Sequence, residues 1–307
     1  MTDSRSAGTF APGQYSPPTA RVLQVLDFLV HHQGQRFGLS ELARRCDITK
    51  PTCLGIITEL TEWGYLTRDA AEKTYGLGPA LVKAGRAAQH DFAFGSIVHD
   101  RLDVLSKRFG TVCTAAGVVG GKIMLLDVAG PPGVRPPAVG EVYPYAPPVG
   151  LMFTLWQPDG ELERWLQQEP ALISEPDLER VREVAADCRN TGYLIERLTP
   201  TIQRLNRLIA GVAASDLPPD VRAAAGELAS NMGERMISSA ALADESQLHS
   251  VNFIAAPTFD SDGRQALVLT VNVGGEITGA DIAERGAALL EITDEITNEV
   301  GGRNPFE

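Results

Sequence analysis

The chain lacks the features that mark a secreted, membrane-spanning or metal-binding protein. Its first residues, 1–8, have no apolar core of a signal peptide, and no later segment approaches the roughly 18 consecutive apolar residues of a membrane span. The five histidines have no metal-ligand spacing, and the four cysteines form no Cys-x-x-Cys pair. We therefore expect a cytoplasmic protein that contains no metal, cofactor or disulfide.

Catalytic motifs are also missing. The sequence contains no nucleophile elbow, no phosphate-binding loop and no His-Glu-x-x-His zinc motif, and the glycines at 117–121 span too short a stretch to cradle a dinucleotide. A hydrolase would have to use Cys113 or Cys188 with a histidine and a carboxylate. The acidic residues are spread along helices, which is typical of a solvated face rather than of a paired acid and base. We expect that the protein is not an enzyme.

Positive charge is scarce and unevenly distributed. The chain has 27 Lys or Arg against 39 Asp or Glu, a net charge of −12. Residues 17–86 hold nine cations and seven anions, a net of +2, whereas residues 87–307 hold 17 and 31, a net of −14, and Asp3 and Arg5 cancel. Because an acidic surface repels DNA phosphate, only the first of these regions is suited to bind nucleic acid.

Within that region, apolar residues repeat at helical spacing in two neighbouring short segments. They are Leu42, Ala43 and Cys46 in the first segment and Cys53, Ile56, Ile57 and Leu60 in the second. Ser40 and Thr49 are suitable N-caps, and Gly64 ends the second segment. Two short helices joined by the tight turn at 47–49 indicate a helix-turn-helix, whose two cysteines we expect to be inert core residues.

Two short strand patterns follow, at 65–68 and 74–77, around a polar turn at 69–73, and together they predict a wing. We interpret the region as a winged helix-turn-helix, with residues 50–63 as the helix that enters the major groove of DNA. The alternative for the same residues is a small helical core without a partner. The charge distribution favours DNA binding.

Strand patterns begin after Gly110 and alternate with helical ones. The predicted strands are 111–119, 122–129, 134–143, 193–197, 251–259 and 265–273, and the predicted helices are 160–168, 174–189 and one that begins at Thr278. Ser174 and Thr278 each start a capping box. A sheet flanked by helices makes this part of the chain an α+β domain.

The predicted organisation has four parts. Residues 1–18 form a disordered arm, 19–78 the winged helix-turn-helix, 79–109 a linker helix interrupted near Asp91 and Gly95, and 110–303 the α+β domain. Exposed apolar residues on a linker helix are often a dimer seam. A homodimer would match a palindromic operator in double-stranded DNA.

The order and spacing of several short motifs resemble the IclR family of bacterial transcriptional regulators. The matching pieces are RVLQVL at 21–26, LSELAR at 39–44, LTEWGYL at 60–66, YGLG at 75–78, GPPGVR at 130–135, Gly192-Tyr193, and IAAPTFDSDG at 254–263. The resemblance implies a dimer, often a dimer of dimers, with a GAF-like C-terminal domain that binds a small metabolite. That metabolite would alter the binding of the winged helix-turn-helix to its operator.

The DNA-binding residues expected from the pattern and the resemblance lie on the two helices and the wing. They are Arg44, Arg45, Lys50, Thr52, Cys53, Leu54, Gly55, Arg68, Lys73 and Tyr75. Two positions depart from the family pattern, because Gly55 and Thr74 stand where family members usually have arginine. We expect altered sequence preference or lower affinity, or else a glycine that permits close approach of the backbone to DNA.

The effector-binding residues implied by the resemblance are Val149, Gly150, Glu196, Phe253, Thr270 and Asn272. The run at 145–151 carries Pro147 and Pro148, which remove two N–H donors from a loop that binds carboxylates in the family. Glu196 would repel a carboxylate. We therefore expect an effector that is larger or more apolar than a simple keto acid, or none, and Thr270 and Asn272 have the alternative of bonding neighbouring backbone.

An insertion at 198–250 separates two strands that the family places close together. Helical spacing of apolar residues, and an Ala-rich stretch at 221–243, predict that the insertion is helical. It would cover the effector site, enlarge it or form an oligomer surface. The function that we expect is an effector-modulated, sequence-specific transcriptional regulator; the alternative is an interaction or oligomerisation protein with weakened DNA binding and no effector.

Overall fold

The computed structural model describes residues 16–32, 34–91, 95–134, 136–147, 149–157, 160–168, 175–202 and 235–306. The chain divides into two compact units, Met1–Phe92 and Ala93–Glu307. Among the helices described, none has both the length and the apolar character that a bilayer crossing requires.

The first unit is a bundle of short helices with a small sheet. Its helices are α1 (Pro17–His31), α2 (Leu39–Arg45), α3 (Lys50–Glu62) and α4 (Ala80–Asp91). Its strands are β1 (Phe37–Gly38), β2 (Leu66–Asp69) and β3 (Thr74–Leu77), in the antiparallel order β1-β3-β2. A single core, which includes Val25, Leu29, Leu42, Cys53 and Ile57, holds α1, α2 and α3 together.

The local signals predicted α2 and α3 with one difference at the start of α2, and α1 begins inside the segment expected to be an arm. Thr49 caps α3 as expected, since its hydroxyl accepts a hydrogen bond from the Thr52 N–H. Ser40 does not cap α2, because that helix begins at Leu39 and its N-cap is Gly38, two residues before the expected cap. Helix α1 begins at Pro17, so its first two residues lie in the segment expected to be a disordered arm, and residues 1–15 lie outside the described residues.

The second unit is built on one antiparallel sheet. Its strands are β4 (Cys113–Val119), β5 (Lys122–Ala129), β6 (Val142–Pro144), β7 (Leu194–Arg197), β8 (Leu248–Phe259) and β9 (Gln265–Thr278). They lie in the order β6-β5-β4-β9-β8-β7. The helices are α5 (Gly95–Phe109), α6 (Glu161–Leu166), α7 (Glu175–Thr191) and α8 (Gly279–Glu299).

Each face of this sheet carries its own core. On one face, residues such as Ile254 and Val271 pack with Leu102 of α5 and Leu289 of α8. On the other face, residues such as Ala255 pack with the two buried tryptophans Trp156 and Trp165, together with α6 and α7. The alternation of side chains along a strand sends neighbouring residues to opposite cores.

Several element boundaries differ from the sequence-based expectation. Only Val142–Pro144 forms a strand in the region expected to be a strand at 134–143. The Thr278 capping box of α8 is present, whereas Ser174 lies outside the described residues. The linker at 79–109 contains the helices α4, which ends at Asp91, and α5, which begins at Gly95, in agreement with the interruption expected near these two residues; residues 92–94 lie outside the described residues.

Most of the insertion, 203–234, lies outside the described residues. The part that returns to the sheet is not α-helical, contrary to the expectation of a helix up to residue 243. It contains a 3-10 turn at Ser239–Leu242, and Met236 forms an isolated bridge with Glu196 of β7. The Ile237 N–H donates to the Ile195 carbonyl at 3.0 Å, so this segment pairs with the edge strand instead of forming a helix.

Candidate functional site

The first turn of α3 presents the exposed surface expected to meet DNA. Lys50, Leu54 and Gly55 are exposed there. The Thr52 hydroxyl lies 2.9 Å from the Thr49 hydroxyl, so Thr52 takes part in the cap that fixes the start of the helix. This arrangement leaves the Lys50 ammonium group at the positive end of the α3 dipole, where both attract phosphate.

Two of the expected DNA-binding residues are removed from the interface by their burial. Cys53 is fully buried and Tyr75 is 8% exposed, and both belong to the core of the first unit. The burial of Cys53 follows from its position on the apolar face of α3. Tyr75 is buried because β3 is the central strand of the small sheet, a position the sequence did not predict since it gave no indication of β1.

The remaining expected cations are all exposed. Arg44 and Arg45 occupy the last turn of α2, Arg68 lies on β2, and Lys73 lies in the wing turn with a φ of 54°. Arg45 approaches Glu41 at 3.9 Å, which is a weak, exposed pair. The cations thus lie on α2, α3 and the wing of the same compact unit.

The wing turn is ordered by Asp69. Its carboxylate accepts the Ala71 N–H at 2.9 Å and the Glu72 N–H at 3.1 Å. These backbone hydrogen bonds lower the pKa of Asp69, and the nearby guanidinium of Arg36 contributes to the shift. Arg36 was missed in the sequence, because no periodic pattern or motif marks an arginine that precedes a two-residue strand.

An apolar groove of about 400 Å³ lies beside α3. It is lined by Val22, Gly55, Ile56, Glu59, Leu60, Trp63 and Tyr65. Trp63 is 74% exposed. A Cβ atom at position 55 would find no heavy atom within 4 Å, so the packing of the protein does not require a glycine there.

In the second unit, the sheet brings together the effector-binding residues implied by the resemblance. Glu196 is paired with Phe253, and Phe253 with Asn272, across β7, β8 and β9. Thr270 lies two residues before Asn272 on β9, so these four side chains share one face of the sheet. Phe253 packs against the core that contains Trp156 and Trp165.

Glu196 is not an uncompensated negative charge. It is buried, and it forms an ion pair with Arg235, whose side chain is 12% exposed. Asn252 donates its Nδ2–H to the Glu196 Oε2 at 2.7 Å. The expectation that Glu196 repels a carboxylate is therefore wrong in its premise, because the returning end of the insertion neutralises the glutamate.

Thr270 and Asn272 already have partners within the protein. The Thr270 hydroxyl lies 2.6 Å from the Thr114 hydroxyl, and both residues are buried. Asn272 donates its Nδ2–H to the Val112 carbonyl at 3.1 Å. Asn272 thus has the backbone-bonding role that was the alternative, whereas Thr270 bonds a side chain on the neighbouring strand.

In the loop before the 3-10 turn Leu151–Phe153, some backbone N–H groups already donate hydrogen bonds within the loop and the turn. The Val149 N–H donates to Ala146 and the Phe153 N–H to Gly150. Gly150 has a φ of 104°, and a Cβ there would lie 2.8 Å from Ile123 Cδ1. The positive φ favours glycine at this position, and any larger residue would also have to displace the end of the Ile123 side chain.

The cysteines considered for a hydrolase are unsuited to nucleophilic attack. All four cysteines are buried and free. Burial raises the pKa of Cys113 to about 12, and it also raises that of Cys188 to about 12. A thiol with so high a pKa supplies almost no thiolate near neutral pH.

The first unit also matches a family model. Residues 18–70 match the model of the IclR helix-turn-helix domain. The resemblance to the IclR family that the sequence motifs indicated is therefore confirmed. No curated protein matches the chain significantly.

Solved structures, two of which are described as IclR proteins, share the fold of the chain. An IclR transcriptional regulator from Alicyclobacillus acidocaldarius is 19% identical, with a TM-score of 0.65, and the match covers 94% of this chain and 100% of that one. HmgR from Pseudomonas aeruginosa is 19% identical, with a TM-score of 0.60 and coverage of 92% and 98%. An IclR homologue from Microbacterium hydrocarbonoxydans, complexed with 4-hydroxybenzoate, is 17% identical, with a TM-score of 0.58 and coverage of 92% and 98%.

These similarities confirm the expected fold class, an IclR-type helix-turn-helix unit followed by an α+β unit. The match of residues 18–70 to a helix-turn-helix model is in line with the expectation of a DNA-binding regulator. Each of the three matches covers nearly the whole of this chain and nearly the whole of the other protein.

Proposed function

We propose that this IclR-type protein regulates transcription by binding a palindromic operator in double-stranded DNA as a homodimer, or as a dimer of dimers. The observation that supports the proposal is the exposed start of α3, which is capped by Thr49 and carries Lys50. The cations of α2 and of the wing belong to the same compact unit, in the part of the chain that is not acidic. Phosphate contacts from these groups would hold the protein in register on the duplex.

The test is the salt dependence of binding to a labelled duplex from upstream of the protein's own gene. We expect the logarithm of the binding constant to fall steeply with the logarithm of salt concentration. Lys50→Ala removes one phosphate contact and flattens that slope by about 0.9. The matched control is Lys83→Ala, which removes an exposed lysine of α4 outside the proposed interface.

The two variants separate regulation from the alternative of an interaction protein. Equal slopes for Lys50→Ala, Lys83→Ala and the unaltered protein would show that α3 does not contact the duplex. Weak binding that is the same for the upstream duplex and for a scrambled one would favour the interaction protein. Either result contradicts the proposed regulator.

We further propose that the second unit binds a small effector, larger or more apolar than a keto acid, on the sheet face of Glu196, Phe253 and Thr270. Phe253 and the adjacent tryptophan-containing core supply apolar surface. Pro147, together with the Val149 N–H already bonded to Ala146, leaves few donors for a small carboxylate. The 4-hydroxybenzoate bound by the homologue from Microbacterium hydrocarbonoxydans is an aromatic molecule of the proposed kind.

Isothermal titration calorimetry tests the proposed effector class. We expect 4-hydroxybenzoate, used as an aromatic probe, to bind more tightly than pyruvate or glyoxylate. The expected difference is at least tenfold in Kd, because the benzene ring buries more apolar surface than the methyl group of pyruvate or the hydrogen that replaces it in glyoxylate. Tight binding of pyruvate or glyoxylate would overturn the proposal, and a Phe253→Ala variant that binds 4-hydroxybenzoate unchanged would place the ligand elsewhere.

A further inference from the structure

Arg36 makes an unusual set of contacts with the wing. It precedes β1, and its guanidinium donates from Nη2 to the Thr67 carbonyl at 2.8 Å and to the Thr74 carbonyl at 3.4 Å. Its Nη1 donates to the Thr67 hydroxyl at 3.3 Å. Thr67 belongs to β2 and Thr74 to β3, so one side chain bonds the backbone of both wing strands.

Gly76 makes this approach possible. A Cβ atom at position 76 would lie 3.0 Å from the Arg36 Nη1 and 3.4 Å from its Cζ, so the guanidinium packs directly over the glycine. Gly76 is also the register partner of Thr67. The planar group thus lies against the hairpin at the pair of residues that it bonds.

The same guanidinium lies near the turn that joins the strands. Asp69, which follows Thr67 by two residues, accepts two backbone N–H groups of that turn. Arg68 and Lys73, the wing cations expected to contact phosphate, flank Asp69 and the turn. Arg36 therefore bonds the two strands that carry or adjoin both of these cations.

We propose that Arg36 is the positioning residue of the wing. Its guanidinium clamps β2 to β3 and holds Arg68 and Lys73 where they meet the DNA backbone. The proposal rests on the DNA binding proposed above, and it assigns Arg36 no contact with DNA. Lysine cannot replace it, because one ammonium group does not present a planar fork to two carbonyls.

The test compares Arg36→Lys and Arg36→Ala with the unaltered protein on the same upstream duplex. We expect each variant to raise Kd on the order of tenfold near 0.1 M salt and to flatten the salt slope by more than the 0.9 of a single phosphate, since both wing cations lose their place. In a background that carries Arg68→Ala and Lys73→Ala, we expect Arg36→Lys to have no further effect, because the clamped cations are already gone.

Other outcomes overturn the proposal. If Arg36 contacts phosphate itself, Arg36→Lys resembles the unaltered protein and Arg36→Ala adds its loss in both backgrounds. If Arg36 only stabilises the fold, both variants lower Tm while Kd and salt slope measured well below Tm stay unchanged. Arg21→Ala, which removes an exposed cation of α1, is the matched control and should leave Kd unchanged.

A measurement on the free protein separates this inference from the proposed function. The Ala71 and Glu72 amides bond to Asp69, so their hydrogen exchange reports the order of the wing turn. We expect Arg36→Lys to accelerate their exchange several-fold with no change in the core amides of α3. If Arg36→Lys leaves the exchange of these two amides unchanged, the positioning role of Arg36 is overturned, whether or not the protein binds a duplex. If Lys50→Ala and the unaltered protein have equal Kd values, only the proposed contact of α3 with DNA is contradicted.

Discussion

Gly55 is a residue of α3 at which this protein departs from the pattern expected from the resemblance. It occupies an exposed position in α3, where glycine costs about 1 kcal/mol relative to alanine. No neighbouring atom lies within 4 Å of where its Cβ would be, so packing does not explain the glycine. Gly55 therefore has two effects. Its flexible backbone destabilises α3, and the position lacks the arginine side chain expected from the family pattern.

Substitutions at position 55 distinguish the two explanations given for the glycine. We expect Gly55→Ala to raise the free energy of unfolding by about 1 kcal/mol, measured by urea denaturation, and to leave DNA binding unchanged. We expect Gly55→Arg to steepen the salt slope of binding by about 0.9, because it adds a cation on the exposed side of α3. Val82→Arg, at an exposed position of α4, adds the same charge elsewhere and should not do so.

The opposite pattern would support close approach of the backbone to DNA. In that case Gly55→Ala weakens binding even though it stabilises the helix. Such a result would contradict the view that position 55 only lacks a cationic contact.

At the scale of elements, the segment that ends the insertion is tied to the edge strand β7. Arg235 forms a buried ion pair with Glu196, Met236 bridges the same residue, and the Ser239 N–H donates to Asp187 of α7 at 2.8 Å. An edge strand that is covered in this way offers fewer free backbone groups for association. The returning segment therefore contributes to the sheet as well as to the proposed effector face.

Removing Arg235 tests this attachment. We expect Arg235→Ala to lower the free energy of unfolding by about 3–5 kcal/mol, because Glu196 then carries a buried charge without its cation. Urea denaturation followed by tryptophan fluorescence measures the loss, since Trp156 and Trp165 belong to the core on this face.

Two further variants control for this result. Arg164→Ala breaks an exposed pair with Glu161 and should cost less than about 1 kcal/mol. Adding Glu196→Gln to Arg235→Ala should recover part of the loss, because the unpaired charge is gone. An equal effect of Arg164→Ala and Arg235→Ala would show that burial of the Glu196 pair has no energetic consequence.

At the scale of the whole molecule, charge is distributed unevenly along the chain. The net charge of +2 over residues 17–86 and of −14 over residues 87–307 means that most of the chain repels a duplex. This division restricts the proposed DNA contact to the winged helix-turn-helix. The salt dependence of binding would then arise from a few cations, so the loss of one of them in Lys50→Ala should change the salt slope measurably.

Much of this architecture was predictable because its signals are local. Apolar residues at helical spacing predicted α2 and α3, Thr49 and Thr278 marked helix starts, and the run at 122–129 predicted β5 with its bounds. The short motifs together predicted the family. The candidate DNA-binding cations could also be predicted from the sequence, because they lie on or beside helices and turns that have local sequence signals.

The contacts between distant segments were decided only by the tertiary structure. Strand β1 has two residues and no pattern, yet its pairing with β3 buries Tyr75, and Arg36 reaches Thr67 across 31 positions. Glu196 finds Arg235 across 39 positions, which turns an expected repulsive charge into a neutral pair. Periodicity encodes which face of an element is apolar, but packing determines which distant residue meets that face.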